Sequence, residues 1–143
     1  MIFKISDKVR KYIQLDTNFI NIEFKSEFNS VSGYTTFKDA RSNTIYIDLY
    51  SLDMKTPGIK YRYKSILNMG KVLLHELTHV RQLQEFDTYR EAKEKYFYGD
   101  YKDRPGEKEA RMAEDAPEDV LNHAMLIMAY ALNGKNMPYF MKY

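Results

Sequence analysis

The chain has 143 residues, of which 44% are hydrophobic and 29% charged, and this composition is typical of a soluble globular protein with one modest core. Its net charge of +2, from 22 basic and 20 acidic residues, is too small to indicate a nucleic-acid or membrane partner. Because cysteine is absent, disulfides, thiol nucleophiles and thiolate metal ligands are excluded, and any metal must be held by His, Asp or Glu.

The first third of the chain predicts one helix and a small sheet. Residues 4–15 place Ile5, Val9 and Ile13 on one helical face. Alternating apolar and polar residues predict strands at 18–25 and 44–50, with a β-rich stretch from Gly33 between them and a turn at 39–43. We expect an antiparallel meander over residues 19–50.

The remaining residues predict helices. After a break at MKTPG, residues 54–58, apolar residues recur at helical spacing in one long segment, at Met69, Leu73, Leu77 and Val80. Gly70 within this segment suits close packing against another backbone. A short helix and a loop at Gly99 should follow. Pro105 and Pro117 then open two more helices, the last of which ends near Gly134.

These elements predict an α+β fold with a single domain over residues 1–143, in which a small antiparallel sheet packs on the long helix. The first residues lack the basic start, apolar run and cleavage site of a signal peptide. No apolar run approaches the roughly 20 residues of a membrane span. We therefore expect a cytoplasmic protein with no membrane partner; the sequence leaves its oligomeric state open.

The long helix carries HELTH, with His75, Glu76 and His79. Residues four apart lie one turn above each other, so His75 and His79 can chelate one metal ion. Glu76 lies about 100° around the helix, where it can reach water bound to that ion. Zinc acidifies such water, and a glutamate placed there can take its proton during attack on a carbonyl. The alternative is an ordinary helix with surface histidines.

A catalytic zinc usually takes three protein ligands, so a third is sought elsewhere in the chain. The metzincin pattern is absent, because Gln82 and Glu85 occupy the places of its glycine and third histidine. Peptide deformylase uses a cysteine, which this chain lacks. His123 lies in an apolar helix, where a hydrogen-bonded core histidine is the more usual role.

A carboxylate is therefore favoured as the third ligand. The segment GEKEARMAED offers four, namely Glu107, Glu109, Glu114 and Asp115. Glu107 and Glu109 are two residues apart and point to nearly opposite sides of a helix. Ala110 and Ala113 give Glu109 a small-residue face that suits close packing on the HELTH helix. We therefore choose Glu109, and expect Glu107 to be solvated or an outer partner.

HELTHVRQ followed by YKDRPGEKEARMAED, residues 101–115, resembles the gluzincin metallopeptidases in the small single-domain form called minigluzincins. The resemblance covers residues 72–115 and implies a zincin-like fold in which a later helix carries the third ligand. It implies that His75, His79 and Glu109 bind zinc and that Glu76 is catalytic. One departure is Ala113, which stands where the large gluzincins carry an aspartate.

The predicted function is that of a zinc-dependent metallopeptidase acting on a peptide or protein substrate. By resemblance, residues 44–50 would form an edge strand that pairs with extended substrate. A donor for the developing oxyanion is sought among Tyr101, Arg104, Arg111 and His123. The alternatives are a catalytically silent or regulatory protein-binding module on a peptidase scaffold and, with less support from the charge pattern, a nucleic-acid-binding protein.

Overall fold

The computed structural model describes residues 1–25, 33–36, 44–48 and 59–137, and these form an α+β fold. The strands are β1 (Ile2–Lys4), β2 (Phe19–Lys25), β3 (Gly33–Thr36) and β4 (Thr44–Asp48). The helices are α1 (Asp7–Ile13), α2 (Ile59–Gln84), α3 (Tyr89–Tyr96), α4 (Pro105–Ala113) and α5 (Glu118–Ala131), with a short 3-10 helix at Tyr101–Asp103. The turns predicted at 39–43 and 54–58 lie outside the described residues.

The sheet is mixed, so the prediction of an antiparallel meander is wrong. Its strand order is β1-β2-β4-β3, and β2 pairs with β4 in parallel, while the other two pairs are antiparallel. β1 was not predicted as a strand. Alternation of apolar residues determines which side chains face the core, but it does not specify the neighbour or the direction of a strand.

β4 lies inside this sheet, between β2 and β3, which corrects the prediction of residues 44–50 as a substrate-binding edge. Residues 49 and 50 lie outside the described part of the chain. Within the described sheet, β3 is the edge strand on this side. A strand added on this side of the described sheet would therefore pair with β3.

Helix α2 forms the centre of the core. Its residues Met69, Leu73, Leu77 and Val80 are completely buried, which confirms the predicted helical face. Each such side chain contributes roughly 1.5–3 kcal/mol through burial. The helix packs against α5, the sheet and α4. At Gly70 a Cβ atom would lie 2.9 Å from the Met125 side chain, so the predicted close packing is also confirmed.

Helix α4 is held against α2 from several directions. Its first residue is Pro105, as predicted, and Gly106 lies directly against the backbone of Tyr96 at the end of α3. At its other end, the Tyr12 hydroxyl donates to the carbonyl of Ala113 over 3.1 Å. These contacts determine which face of α4 is turned toward HELTH. Among the described helices, none combines the length and the apolarity that a membrane span requires.

Candidate metal centre

Two histidines and one glutamate meet between α2 and α4. His75 and His79 lie one turn apart on α2, and their ring centroids are separated by 4.9 Å. The Nε2 atoms lie 3.1 and 3.0 Å, respectively, from the two carboxylate oxygens of Glu107. The predicted convergence of the histidine pair with a carboxylate on a later helix is therefore present.

The geometry of these three side chains fits a metal ion. Each offers one ligand atom, and the three atoms all lie within 4.8 Å of one another. Four ligands about 2.0–2.1 Å from a tetrahedral zinc are separated by roughly 3.3 Å, close to the observed nitrogen–oxygen distances. Imidazole and carboxylate ligands also accept other divalent transition metals, so the donor set alone does not distinguish zinc from them.

Both histidines are oriented through their other ring nitrogen. Nδ1 of His75 lies 2.9 Å from a carboxylate oxygen of Glu114, and Nδ1 of His79 lies 2.9 Å from Oε1 of Gln82. Each oxygen can accept a hydrogen bond from a protonated Nδ1, which leaves Nε2 without a proton and available as the metal-binding atom. Gln82 is itself held by donation to the carbonyl of Gly106 over 3.1 Å.

Sequence reasoning did not assign these orienting roles. Gln82 follows His79 by three residues on the same helix, so helical spacing was a signal that could have identified it. Glu114 is one of the four carboxylates of GEKEARMAED, but the sequence alone gives it no role. Its approach to His75 joins positions 39 residues apart, which local spacing does not predict.

The choice of Glu109 as the third ligand is corrected by the structure. Its carboxylate contacts Arg81 and accepts a hydrogen bond of 2.9 Å from Nε2 of Gln82. The Glu109 side chain is 47% exposed, whereas the Glu107 side chain is 7% exposed. The two residues do point to different sides of α4, as predicted, but the side facing the histidines is that of Glu107.

Glu76 lines the same cavity as His79 and Glu107 and is only 4% exposed. Its carboxylate accepts a hydrogen bond from the Thr35 hydroxyl on β3, a contact that nothing in the local sequence indicated. Burial raises the pKa of Glu76, although the charge of His79 and the Thr35 hydrogen bond oppose this shift. A carboxylate with a raised pKa is better matched to general base catalysis near neutral pH.

Hydrogen bonds and opposite charges within the triad shift the pKa values of its members. Burial by itself would lower the pKa of His75, but hydrogen bonds to Glu107 and Glu114 outweigh it and raise that pKa to about 9. Burial would likewise raise the pKa of Glu107, but hydrogen bonds from His75 and His79 lower it strongly. Protonation of His75 therefore competes with metal binding through its Nε2.

The cavity beside the triad has a volume of about 280 Å³ and brings together only some of the predicted oxyanion donors. Tyr101 and Arg104 line it. Burial and the nearby Glu107 carboxylate raise the pKa of Tyr101, so its hydroxyl keeps its proton at neutral pH.

The other two predicted donors have different environments. Arg111 donates to the carbonyl of Lys102 over 2.6 Å and does not line the cavity. Nδ1 of His123 lies 3.2 Å from the hydroxyl of Ser6, the residue that caps α1. The structure therefore brings neither of them to the triad.

Comparison with protein-family models, with curated proteins and with solved structures gives no match to this chain. The relation to gluzincins therefore stays a resemblance carried by the motifs. The site itself consists of a His75–His79–Glu107 group able to hold a metal ion, with a buried glutamate beside it.

Proposed function

We propose that the protein is a zinc-dependent metallopeptidase that hydrolyses peptide bonds in the cavity between α2, α4 and β3. One observation carries this proposal: the buried Glu76 lines the same cavity as His79 and Glu107, two members of the His75–His79–Glu107 triad. A purely structural metal has no need of a buried carboxylate beside it, whereas hydrolysis needs a base at that position.

The ligands are His75 and His79 through Nε2 and Glu107 through its carboxylate. When bound, zinc supplies a Lewis acid that acidifies water and polarises a carbonyl. Glu76 takes a proton from the attacking water as the new carbon–oxygen bond forms. It then delivers that proton to the amide nitrogen as the carbon–nitrogen bond breaks, which releases a carboxylic acid and an amine.

Tyr101 is the favoured donor to the developing oxyanion. It lines the cavity, and its raised pKa keeps the hydroxyl protonated and able to donate. β3 favours an extended peptide as the substrate, because this edge strand lies directly beside Glu76 through Thr35. An extended peptide can add to such an edge by main-chain hydrogen bonding.

The test combines metal analysis with peptide cleavage. We expect wild-type protein to bind one zinc ion per chain and to cleave members of a mixed peptide library, with products identified by mass spectrometry. Glu76→Gln should retain zinc, because all three ligands remain, but should lose roughly 10²- to 10⁴-fold in turnover. Glu118→Gln, the same change at an exposed position on α5, is the matched control and should behave as wild type.

A Glu76→Gln variant that cleaves at the native rate would remove Glu76 from the reaction. A zinc-loaded wild type that binds peptides but cleaves none would instead support the protein-binding alternative.

A further inference from the structure

The cavity extends from the metal ligands to an apolar wall. Leu83, Tyr89 and Phe97 line this part. Leu83 is 3% exposed, and the ring of Phe97 lies 5.4 Å from that of His79, measured between centroids. The apolar wall therefore begins directly beside one metal ligand. A substrate side chain close to the scissile bond would contact it.

Arg104 contributes a positive charge to the same lining. Its Nε donates to the carbonyl of Gly99 over 3.2 Å, and its guanidinium carbon lies 5.4 Å from the ring centroid of Tyr101. These two contacts hold the side chain in place. Among the residues that the structure describes, Arg104 forms no ion pair, and its two terminal nitrogens meet no hydrogen-bond acceptor.

Two carboxylates, those of Glu76 and Glu107, share the cavity with this arginine. Each is already engaged: Glu76 by Thr35, and Glu107 by His75 and His79. The partly buried Arg104 side chain lines the cavity with two terminal nitrogens that no described residue engages. A planar guanidinium with free terminal nitrogens matches a carboxylate, which it can bind through two parallel hydrogen bonds.

Arg104 is also close to the site of hydrolysis. Tyr101 connects the two, because its ring packs against the guanidinium and its side chain lines the same cavity as Glu107. Burial and the nearby charge of Glu107 raise the pKa of Tyr101. The side chain of Tyr101 therefore spans the distance between Arg104 and Glu107. Extended peptide advances roughly 3.3–3.6 Å per residue. A group bound by Arg104 thus belongs to a substrate residue within a few positions of the scissile bond.

We propose that Arg104 binds a carboxylate of the substrate, so that the site selects peptides with a carboxylate a few residues from the cleaved bond and an apolar side chain between them. The carboxylate can be an acidic side chain or a free C-terminus, since both present the same group. This inference rests on the proposed peptidase function and specifies its substrate class.

The experiment uses peptides that share one apolar residue and differ near it. In the first pair, one peptide carries Glu and the other carries Gln at the same position, and this position is moved in turn through those near the apolar residue. Both peptides have an amidated C-terminus. The second pair ends shortly after the apolar residue, with either a free or an amidated C-terminus. Cleavage by zinc-loaded wild type gives kcat and KM separately. Binding to zinc-loaded Glu76→Gln protein is measured by fluorescence anisotropy.

We expect the carboxylate peptide of at least one pair to be preferred roughly tenfold or more over its neutral partner, mainly through KM and binding. Discrimination in the first pair identifies a side-chain carboxylate as the source, and discrimination in the second identifies the C-terminus. Arg104→Gln should abolish the preference. Arg104→Lys keeps the charge without the two-bond geometry and should retain only part of it.

Two further variants separate recognition from folding. Arg104→Glu should reverse the preference toward peptides with Lys at the selected position, a gain that a misfolded protein cannot show. Lys108→Gln removes the same charge from an exposed position on α4 and should leave the preference unchanged. Zinc content of each variant is measured in parallel.

The outcomes separate this inference from the proposed function. Cleavage with no Arg104-dependent discrimination overturns the carboxylate site and leaves the peptidase in place. Arg104-dependent binding of carboxylate peptides without cleavage supports the site and overturns the peptidase. An Arg104→Gln variant that loses binding equally for every peptide overturns the inference, and so does the absence of any Arg104-dependent binding.

Discussion

At the residue scale, the environment of each carboxylate on α4 decides its chemistry. Glu107 lies between His75 and His79 and is almost fully buried, while Glu109 lies at the surface with Arg81. Glu109 still reaches the site indirectly, because it holds Gln82, which in turn holds His79. Glu107 is thus placed to bind a metal, whereas Glu109 orients His79 through Gln82.

This difference predicts unequal effects on metal affinity. Glu107→Ala removes one of three ligands and should abolish stable zinc binding. Glu109→Ala leaves all three ligands in place, and we expect a loss of at most about 10- to 100-fold, the range found for outer partners. The measurement is a zinc competition titration against a chromophoric chelator. An equal loss of zinc affinity in both variants, or a larger loss in Glu109→Ala, would contradict the assignment of Glu107 as the third metal ligand.

At the element scale, the position of α4 depends on a close approach to α3. A Cβ atom on Gly106 would lie 2.9 Å from both the carbonyl oxygen and the Cβ of Tyr96, and 2.9 Å from the ring of Phe97. Because one of these neighbours is backbone, it cannot move aside cheaply. Gly106 therefore allows the N-terminus of α4, which carries Glu107, to lie directly against the end of α3.

Gly106→Ala tests the need for this approach. The added methyl group should shift α4, lower the free energy of unfolding by about 1–3 kcal/mol and weaken zinc binding. Denaturant unfolding with and without zinc measures both effects. Lys108→Ala, an exposed change on the same helix, should stay within about 0.5 kcal/mol of wild type. If Gly106→Ala matches this control in both measurements, α4 does not require its close approach to α3.

At the scale of the whole molecule, the triad connects two segments that meet only through folding. His75 and His79 belong to the central helix α2, and Glu107 belongs to α4, which packs against it. An ion bound by all three requires this packing. Metal binding and folding should therefore be thermodynamically linked, since the unfolded chain does not present the three groups together.

This linkage predicts that zinc raises thermal stability. At a free zinc concentration 100 times Kd, the added stability is about 2.7 kcal/mol, which for a chain of this size corresponds to an increase in Tm of roughly 5–10 °C. Calorimetric scans over a range of free zinc should show the increase in wild type and in Glu76→Gln. Glu107→Ala should show little of it, and magnesium, which prefers oxygen ligands, should not replace zinc. A Tm that stays constant while zinc saturates the protein would contradict the linkage.

Several features could be predicted because they depend on neighbours along the chain. The helical spacing of Met69, Leu73, Leu77 and Val80 predicted the buried face of α2, and the structure confirms it. Pro105 predicted the start of α4. The apolar pattern also located strands in the first third, but it could not specify the parallel pairing of β2 with β4. That pairing depends on how the sheet is assembled rather than on either strand alone.

The sequence by itself determined that His75 and His79 share one face and that Glu76 lies beside them, because an α-helix repeats every 3.6 residues whatever surrounds it. Only the tertiary structure decided that Glu107 joins the two histidines, that Thr35 contacts Glu76 and that Glu114 contacts His75. Those contacts join residues 28 to 41 positions apart. Their geometry follows from the packing of α4 and β3 on α2, which no local periodicity records.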